Sequence, residues 1–226
     1  MWFTAEVAFP LLASLPPEAT QRLLEGARRR TFHRREVLVH EGDVADSLHL
    51  VQSGRLAVQV SLPRGQVASL RIIKAGDHFG ELALLDRPDP HRSATIIALE
   101  PSQTLSISSA TFRRLRSEHP AVQDLLTQAL AERVEELSRR LLETMYEGLD
   151  RRVYRHLVVL AEVYADPPSS NQVTIPLTQE TLAEFVGGAR PSVNVVLNKL
   201  ADRGLVRIGR GRITILDRDG LAARVR

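Results

Sequence analysis

The hydrophobic pattern of this 226-residue chain changes its period near Pro120, and that change constrains the fold more than any other feature. From Thr31 to Ser109, short apolar and β-branched runs alternate with turn sequences such as Glu41-Gly42-Asp43 and Ala75-Gly76-Asp77. A turn about every 8–12 residues is typical of a compact all-β domain. The runs are Val37–Val39, Leu48–Val51, Leu56–Val60, Leu70–Ile73, Ala94–Ala98 and Leu105–Ile107. We therefore predict a barrel or roll of about eight strands, capped by short helices between Leu11 and Arg30.

Beyond Pro120 the apolar residues recur at the spacing of a narrow seam on one long helix. The seam consists of Leu126, Leu130, Val134, Leu137 and Leu141. A narrow apolar seam flanked by charged residues is typical of a helix that pairs with a copy of itself, so we predict that these residues form a dimer interface. The alternative is that the helix packs only against its own barrel.

The last third of the chain contains two short helices joined by a tight turn. Gly148-Leu149-Asp150 interrupts the long helix, and Asp150 is predicted to be the N-cap of the next one. Further on, Thr178 caps a helix that ends at Val186, and the turn Gly187-Gly188-Ala189 leads into a second helix from Arg190 to about Arg203. This spacing is typical of a helix-turn-helix.

A basic glycine turn, Arg210-Gly211-Arg212, joins two predicted strands after the second helix and so forms a wing. The first residues of a recognition helix reach base edges, where Arg and Asn discriminate bases, whereas arginines in a wing pair with phosphates. We predict the following DNA contacts: Thr178, Gln179, Arg190, Pro191, Ser192, Asn194, Lys199, Arg210 and Arg212.

The charge distribution agrees with DNA binding at the C-terminal end. Residues 1–150 carry 18 Lys and Arg against 20 Asp and Glu, whereas residues 151–226 carry 12 against 7. The basic final third is therefore suited to a phosphate backbone. The chain has no cysteine, which excludes disulfides, thiolate zinc sites, cysteine nucleophiles and cysteine-ligated iron–sulfur clusters.

A second informative stretch runs from Gly76 to Thr95, and its chemistry suits a cyclic phosphodiester. Gly80 permits close backbone approach, and Arg92 would fork onto a phosphate. Successive amides near Leu82 and Ala83 would form an anion nest, while Glu81 would accept a hydrogen bond from a ribose 2′-hydroxyl. These residues predict an effector site in the β-domain.

Three segments together resemble the CRP/FNR (cyclic-AMP receptor protein) family of transcription regulators over nearly the whole chain. F-G-E-L-A-L-L (79–85) followed by R-S-A-T (92–95) is similar to the phosphate-binding cassette of cyclic-nucleotide-binding domains. The seam helix and V-G-G-A-R-P-S-V-N-V-V-L-N-K-L-A-D-R-G-L-V (186–206) extend the resemblance. It implies an α+β fold with an N-terminal β-roll that binds effector, a long central dimerisation helix and a C-terminal winged helix-turn-helix. The implied domains are 1–117, 118–148 and 149–226.

The resemblance also implies roles for individual residues. Glu81 matches the ribose ligand, Arg92 and Ser93 match the phosphate ligands, and Val58 matches a pocket wall. Ser138 matches the position that contacts adenine across the dimer in cyclic-AMP responders. The backbone shell is implied to be Gly80, Leu82 and Ala83.

The sequence departs from the family pattern at both sites. Leu137 stands where a threonine precedes that serine in well-known cyclic-AMP responders, and Arg71 replaces a small polar residue near the pocket. In the recognition helix, Pro191 replaces the usual Glu and Val195 the usual Arg, while Ala189 replaces a common serine N-cap. The purine and the operator are therefore not fixed by the resemblance.

These features predict a cytoplasmic, non-membrane, homodimeric regulator that binds a near-palindromic double-stranded operator and RNA polymerase, with cAMP or another cyclic nucleotide as effector. Neither catalysis nor a metal is expected, because no nucleophile–base pair, metal cluster or Walker-type loop is evident. One alternative is a regulator of the same family that needs no effector or senses another molecule. A haem sensor is disfavoured because the histidines His33, His40, His49, His78 and His91 have no diagnostic ligand spacing. From a different class, the chain would be a cyclic-nucleotide-binding module of an enzyme or channel.

Overall fold

The computed structural model describes residues 7–63, 65–85 and 87–225. Residues 1–6, with which the first predicted domain begins, lie outside the described residues. The chain divides into two compact units, one within residues 1–66 and 71–136 and the other within residues 67–70 and 137–226. The division into three domains at residues 117 and 148 stays a prediction.

The β-rich half of the chain forms two four-stranded antiparallel sheets, with strand orders β1-β8-β3-β6 and β2-β7-β4-β5. The strands are β1 (Arg28–Phe32), β2 (Val37–Val39), β3 (Ser47–Ser53), β4 (Arg55–Ser61), β5 (Val67–Lys74), β6 (His78–Phe79), β7 (Thr95–Ala98) and β8 (Ser102–Ser108). All six predicted runs are confirmed as strands, and the predicted number is confirmed for the described residues.

Helices before and after the β-strands share one hydrophobic core with β3 and β8. The helices are a 3-10 turn (Pro10–Leu12), α1 (Pro17–Glu25), α2 (Ser109–Glu118) and α3 (Ala121–Tyr146). Ser108 caps α2 by accepting a hydrogen bond from the Thr111 amide at 3.0 Å. Phe112 of α2 and Leu23 of α1 are buried in this core together with Leu50 of β3.

The start of α3 belongs to this same core, which corrects part of the predicted dimer seam. Leu126 is 2% exposed and packs against the β-strand core, and Leu130 packs partly buried against the same cluster. Leu126 therefore presents no surface to a second chain. Val134, Leu137 and Leu141 are exposed along the rest of α3. The apolar residues at the start of α3 thus pack against the β-strand core, whereas those further along the helix are exposed.

Two strands of the β-domain were missed by the sequence prediction. β1 falls at the end of the segment predicted as helical, and only Phe32 of its five residues is buried. Because β1 pairs along one side with β8 and its other residues are polar and exposed, it shows no apolar alternation. β6 has only two residues, too few for any periodic signal.

The second unit contains helices α4 (Leu149–Tyr164), α5 (Gln179–Val186), α6 (Arg190–Asp202) and α7 (Arg218–Ala222) and a three-stranded sheet. The sheet has the order β10-β11-β9, with β9 (Val173–Ile175), β10 (Val206–Gly209) and β11 (Arg212–Ile215). The predicted helix-turn-helix and wing are confirmed. The α+β fold class is confirmed as well, whereas α7 was not predicted.

The predicted N-cap of α4 was wrong. Gly148 is the cap residue, with the extended backbone that a cap requires, and Asp150 lies inside the first turn. There the negative charge of its carboxylate interacts favourably with the partial positive charge at the start of the helix. The carboxylate also lies 3.4 Å from the Lys199 ammonium. Within the described residues, no helix is long and apolar enough to cross a membrane.

Candidate functional site

The backbone turns sharply where β6 ends, and this turn brings the predicted effector residues together. Gly80 has a φ of +86°, in the left-handed region that favours glycine. A Cβ atom at this position would lie 2.5 Å from Nη1 of Arg92 and 2.7 Å from the carbonyl oxygen of Ser47. The 3-10 helix Glu81–Leu84 follows at once. Glycine is therefore required both by the backbone conformation and by the contact with Arg92.

Arg92 lies against this turn, and its guanidinium is bound through its two Nη atoms. The residue is 7% exposed. Nη1 donates to the Ser47 carbonyl at 2.7 Å, while Nη2 donates to the Ser47 hydroxyl at 2.9 Å and to Oδ1 of Asp46 at 3.3 Å. The Nε–H group has no acceptor among the described residues. Burial lowers the pKa of Arg92, and nearby carboxylates, Asp46 first, oppose this shift.

The 3-10 helix offers part of the predicted anion nest. The Ala83 amide donates to the Gly80 carbonyl at 3.0 Å, so the prediction that it faces an anion is corrected. The amides of Glu81 and Leu82 are the first two of the turn and have no acceptor within it. The Glu81 and Leu82 side chains are half-buried, and Ala83 is buried.

The remaining predicted effector residues lie in different parts of the chain. Ser93 is exposed directly after Arg92, and Val58 is buried on β4, opposite Ile96 of β7. Ser138 is exposed on α3 in the second unit. Its predicted contact requires a second chain and stays a prediction.

Two residues from β3 and its preceding loop hold Arg92 and a third supports one of them, and sequence reasoning missed all three. Asp46 and Ser47 bind its guanidinium, and His49 lies 3.3 Å from the Ser47 hydroxyl through Nε2. These residues are more than 40 positions from Arg92 in the chain. The available signal was the placement of polar Ser47 and His49 next to the apolar residues of the strand, Leu48, Leu50 and Val51.

His49 is kept neutral by its surroundings. It is 1% exposed, and burial, followed by the charges of Arg92 and Arg30, lowers its pKa to about 4, with Asp46 opposing. A histidine of the unfolded chain titrates near 6.5. The unfolded state therefore binds more protons than the folded state between these values, and stability falls as the pH is lowered through that window.

We expect this histidine to lower the free energy of unfolding by about 2 kcal/mol between pH 7.5 and pH 5. Urea unfolding followed by circular dichroism at both pH values measures the loss. In His49→Phe the loss should shrink by about that amount, because this variant removes the titrating group. An equal pH dependence in both proteins would show that His49 does not contribute.

Arg71 connects strand β6, which leads into the turn, with the long helix α3. Its Nη2 donates to the His78 carbonyl at 3.4 Å, and its Nη1 lies 3.5 Å from Oε2 of Glu136 on α3. Glu136 also accepts from Arg133 at 2.6 Å. The departure at Arg71 therefore places a cation between β6 and α3.

In the second unit, one concave surface collects residues from α5, α6 and the wing. Its volume is about 360 Å³, and it is lined by Thr178, Gln179, Glu180, Arg190, Gly209, Arg210 and Gly211. Thr178 caps α5 through the Thr181 amide at 3.0 Å, and Gly187 ends α5 with a φ of +67°. These local features bring the start of α6 beside the wing turn. Glu180 is an acidic lining residue that the sequence did not single out.

The recognition helix α6 presents a polar face and buries an apolar one. Arg190, Pro191 and Ser192 are exposed, and Asn194 is half-buried with an Oδ1 that has no partner among the described residues. The predicted inward residues Val193, Val196, Leu197 and Leu200 are all buried. Of the other predicted DNA contacts, Arg212 is exposed on β11, and Lys199 lies in the last turn of α6 beside Asp150.

Both halves of the chain match known domains. Residues 29–119 match the family model of the cyclic nucleotide-binding domain, and residues 151–224 match that of the Crp-like helix-turn-helix domain. The chain belongs to the CRP/FNR family. A Crp-like helix-turn-helix has no use in a module that regulates an enzyme or channel, so this CRP/FNR protein is a DNA-binding transcription regulator with a cyclic nucleotide-binding domain.

Several CRP/FNR relatives match this chain over most of its length. The CRP-like cAMP-activated global transcriptional regulator of Mycobacterium tuberculosis is 28% identical over 217 residues, which cover 96% of each chain. The cyclic AMP receptor protein of Thermus thermophilus is 29% identical over 206 residues, 91% of this chain and 92% of the relative. The structure of the c-di-GMP responsive regulator CLP of Xanthomonas campestris shares the fold, with a TM-score of 0.74 and 21% identity over 88% of this chain and 99% of that one.

Proposed function

We propose that this CRP/FNR regulator is a cytoplasmic homodimer whose affinity for a near-palindromic operator is controlled by a cyclic nucleotide, cAMP first, bound in the β-roll. The observation that carries the proposal is the buried guanidinium of Arg92, whose Nε–H has no acceptor among the described residues. A buried donor without a partner costs about 1–3 kcal/mol, which a phosphate oxygen would recover.

The residues around Gly80 fit a cyclic nucleotide in three ways. Arg92 would donate to the phosphate, with the amides of Glu81 and Leu82 beside it. The Glu81 carboxylate would accept from the ribose 2′-hydroxyl. Buried Val58 would contribute apolar surface, and Ser93 a further hydroxyl for the phosphate. The sugar and the phosphate, rather than the base, are therefore the parts for which this chain carries ligands within one unit.

The choice of cAMP among cyclic nucleotides rests on the relatives. Two relatives that cover most of the chain carry cAMP in their names, which is why cAMP comes first. Ser138 would contact the base from the second subunit. Arg71 and Leu137 differ from the family pattern near that base, and the c-di-GMP responsive neighbour has the same fold. Cyclic GMP, which differs from cAMP only in its base, is the matched comparison in every titration.

A regulator that needs no cyclic nucleotide is the second candidate, and one observation favours it. Ser47 and Asp46 already accept three hydrogen bonds from Arg92. An arginine satisfied in this way would hold the strand and loop together without any ligand. In the first candidate the Nε–H group of Arg92 would donate to the phosphate of the effector, whereas in the second it would have no ligand to bind.

We propose that two charged contacts carry the signal from the effector towards DNA. Arg71 joins the His78 carbonyl to Glu136 on α3. At the other end of α3, Arg155 of α4 binds Glu147 and lies 3.4 Å from Glu143, across the break at Gly148. Effector binding would favour one arrangement of these elements and so set the spacing of the two recognition helices, with RNA polymerase as the partner that reads the outcome. In this proposal the predicted domain 1–117 would bind the effector, 118–148 would form the dimer and 149–226 would bind DNA.

Isothermal titration with cAMP and cyclic GMP tests the effector, and gel shifts on promoter DNA at several salt concentrations test the operator. We expect heat of binding for cAMP, tighter DNA binding in its presence, and affinity that falls as salt rises. No heat with either nucleotide and unchanged DNA affinity would favour the effector-independent regulator instead.

Substitutions in the concave surface should separate base recognition from phosphate binding. Arg190→Ala should weaken binding to the preferred operator about 10- to 100-fold for each subunit and relax selectivity at one base pair of each half-site, because a bidentate contact to a base edge is lost in both. Arg210→Ala with Arg212→Ala should weaken binding to all DNA sequences similarly and reduce the salt slope by about 4, because each subunit of the homodimer loses two phosphate contacts.

Arg224→Ala is the control, since it removes one positive charge at an exposed position outside the concave surface. Fluorescence anisotropy with operator and scrambled duplexes measures all of these variants. Equal losses on both duplexes for Arg190→Ala would argue against base recognition by this residue.

A further inference from the structure

A buried chain of hydrogen bonds runs through the β-roll behind Arg92. Oγ1 of Thr104 lies 3.2 Å from Nδ1 of His49, Nε2 of His49 lies 3.3 Å from the Ser47 hydroxyl, and that hydroxyl accepts from Arg92 at 2.9 Å. Thr104, His49 and Ser47 are 0%, 1% and 8% exposed. Polar groups this deeply buried are retained only when their partners are well placed.

The hydrogen-bond roles in this chain follow from the single proton of the Ser47 hydroxyl. The hydroxyl donates to Oδ1 of Asp46 at 2.8 Å and accepts from Arg92. One lone pair remains, so the neighbouring Nε2 of His49 must be the donor. Nδ1 of His49 is then an acceptor, and the Thr104 hydroxyl donates to it. The network is therefore complete only with a neutral imidazole protonated at Nε2.

His49 also contacts the other side of the effector site. Its ring stacks on Phe79, with centroids 4.6 Å apart and an interplanar angle of 7°. Phe79 immediately precedes Gly80, whose backbone lies against the guanidinium of Arg92. One imidazole thus supports both the group that would bind phosphate and the turn that would approach it.

Ser47 binds Arg92 through the two Nη atoms of the guanidinium. Its carbonyl and its hydroxyl accept from Nη1 and Nη2, so the plane of the guanidinium depends on where the Ser47 hydroxyl points. That direction depends in turn on the Nε2–H group of His49. Without this donor the hydroxyl would be held only by its contacts with Asp46 and Arg92.

We propose that His49 is a positioning residue for effector binding, acting through Ser47 to orient the guanidinium of Arg92 towards the phosphate of a cyclic nucleotide. The inference rests on the proposed function, because it concerns the same site. Protonation of His49 would disrupt the arrangement, since Nδ1 could no longer accept from Thr104. The new charge would face the cations Arg92 and Arg30, with Asp46 as the nearest opposing carboxylate.

Two substitutions separate the hydrogen bond from the packing of the ring. His49→Phe keeps a ring against Phe79 but has no donor for Ser47, and we expect it to weaken cAMP binding about tenfold in isothermal titration. His49→Gln loses the ring but places an amide donor near Ser47, and it should recover most of the affinity. A role in packing alone predicts the opposite order of the two variants.

A double-mutant cycle tests whether His49 acts through Ser47. Ser47→Ala should weaken cAMP binding, and adding His49→Phe should weaken it no further. Additive losses would overturn the proposed route. In the effector-free protein, ¹H–¹⁵N spectra of the imidazoles should show His49 as the Nε2–H tautomer at pH 7, assigned by its absence in His49→Phe. An Nδ1–H tautomer or an imidazolium would also overturn it.

The outcomes distinguish this inference from the proposed function. Failure of the unmodified protein to bind cAMP or cyclic GMP would overturn both. Binding by the unmodified protein with equal affinity in His49→Phe would overturn the inference alone and leave the effector site intact.

Discussion

Replacing Arg92 with Gln is expected to weaken cAMP binding by about 100-fold or more, because a charge-assisted contact with phosphate is worth roughly 1.5–3 kcal/mol and Arg92 would make more than one. Gln is preferred to Ala because it keeps the aliphatic part of the Arg92 side chain and a polar end group, which limits the structural damage. Isothermal titration measures the affinity, and circular dichroism checks the fold.

Arg92→Lys and Arg22→Gln complete this test. Lys keeps the charge but cannot offer the fork of the guanidinium, so it should restore only part of the affinity. Arg22 of α1 forms exposed ion pairs with Glu18 and Glu118, and its replacement should leave binding unchanged. Tight cAMP binding by a folded Arg92→Gln protein would mean that Arg92 serves only to hold β3.

Replacing both Leu137 and Leu141 with Glu is expected to convert the proposed homodimer into a monomer. These residues are 49% and 60% exposed, and Val134 beside them is 62% exposed. Such a row of large apolar residues on one helix favours a partner surface. Two carboxylates on each chain would face their copies across the seam, desolvated and without partners, which strongly disfavours association.

Analytical ultracentrifugation measures the oligomeric state, and fluorescence anisotropy measures the affinity for operator DNA. We expect operator affinity to fall about 100-fold or more, because one molecule would no longer bind both half-sites. Leu62→Glu, at an apolar residue that is 42% exposed in the β-roll, is the control and should leave the dimer intact. A dimer that survives the double substitution would exclude this seam.

The local elements of this fold were predictable because their signals are local. The alternation of Val173, Thr174 and Ile175 marks a strand, and the Thr178 cap with Gly187 marks both ends of α5. β1 could not be predicted, since its exposed arginines resemble any polar segment. The cap at Gly148 was missed because Asp is the better cap residue in general, whereas the backbone here turns two residues earlier.

The tertiary contacts of the site were not predictable in the same way. The motif around Gly80 and Arg92 predicted two residues that the fold brings into contact. The partners of Arg92 lie on β3 and in the loop before it, more than 40 residues away, and no periodicity connects them. Leu126 could not be assigned for a similar reason. Apolar spacing indicates which side of α3 is buried, but it does not indicate whether that side packs on the same chain or on a second one.

Selection of binding sites from random double-stranded DNA, run with cAMP, with cyclic GMP and with neither, tests effector control of DNA recognition most directly. We expect near-palindromic sites with half-sites about one helical turn apart to be enriched with cAMP and not without a nucleotide. Equal enrichment in all three selections, or sites without two-fold symmetry, would contradict a dimeric regulator controlled by a cyclic nucleotide.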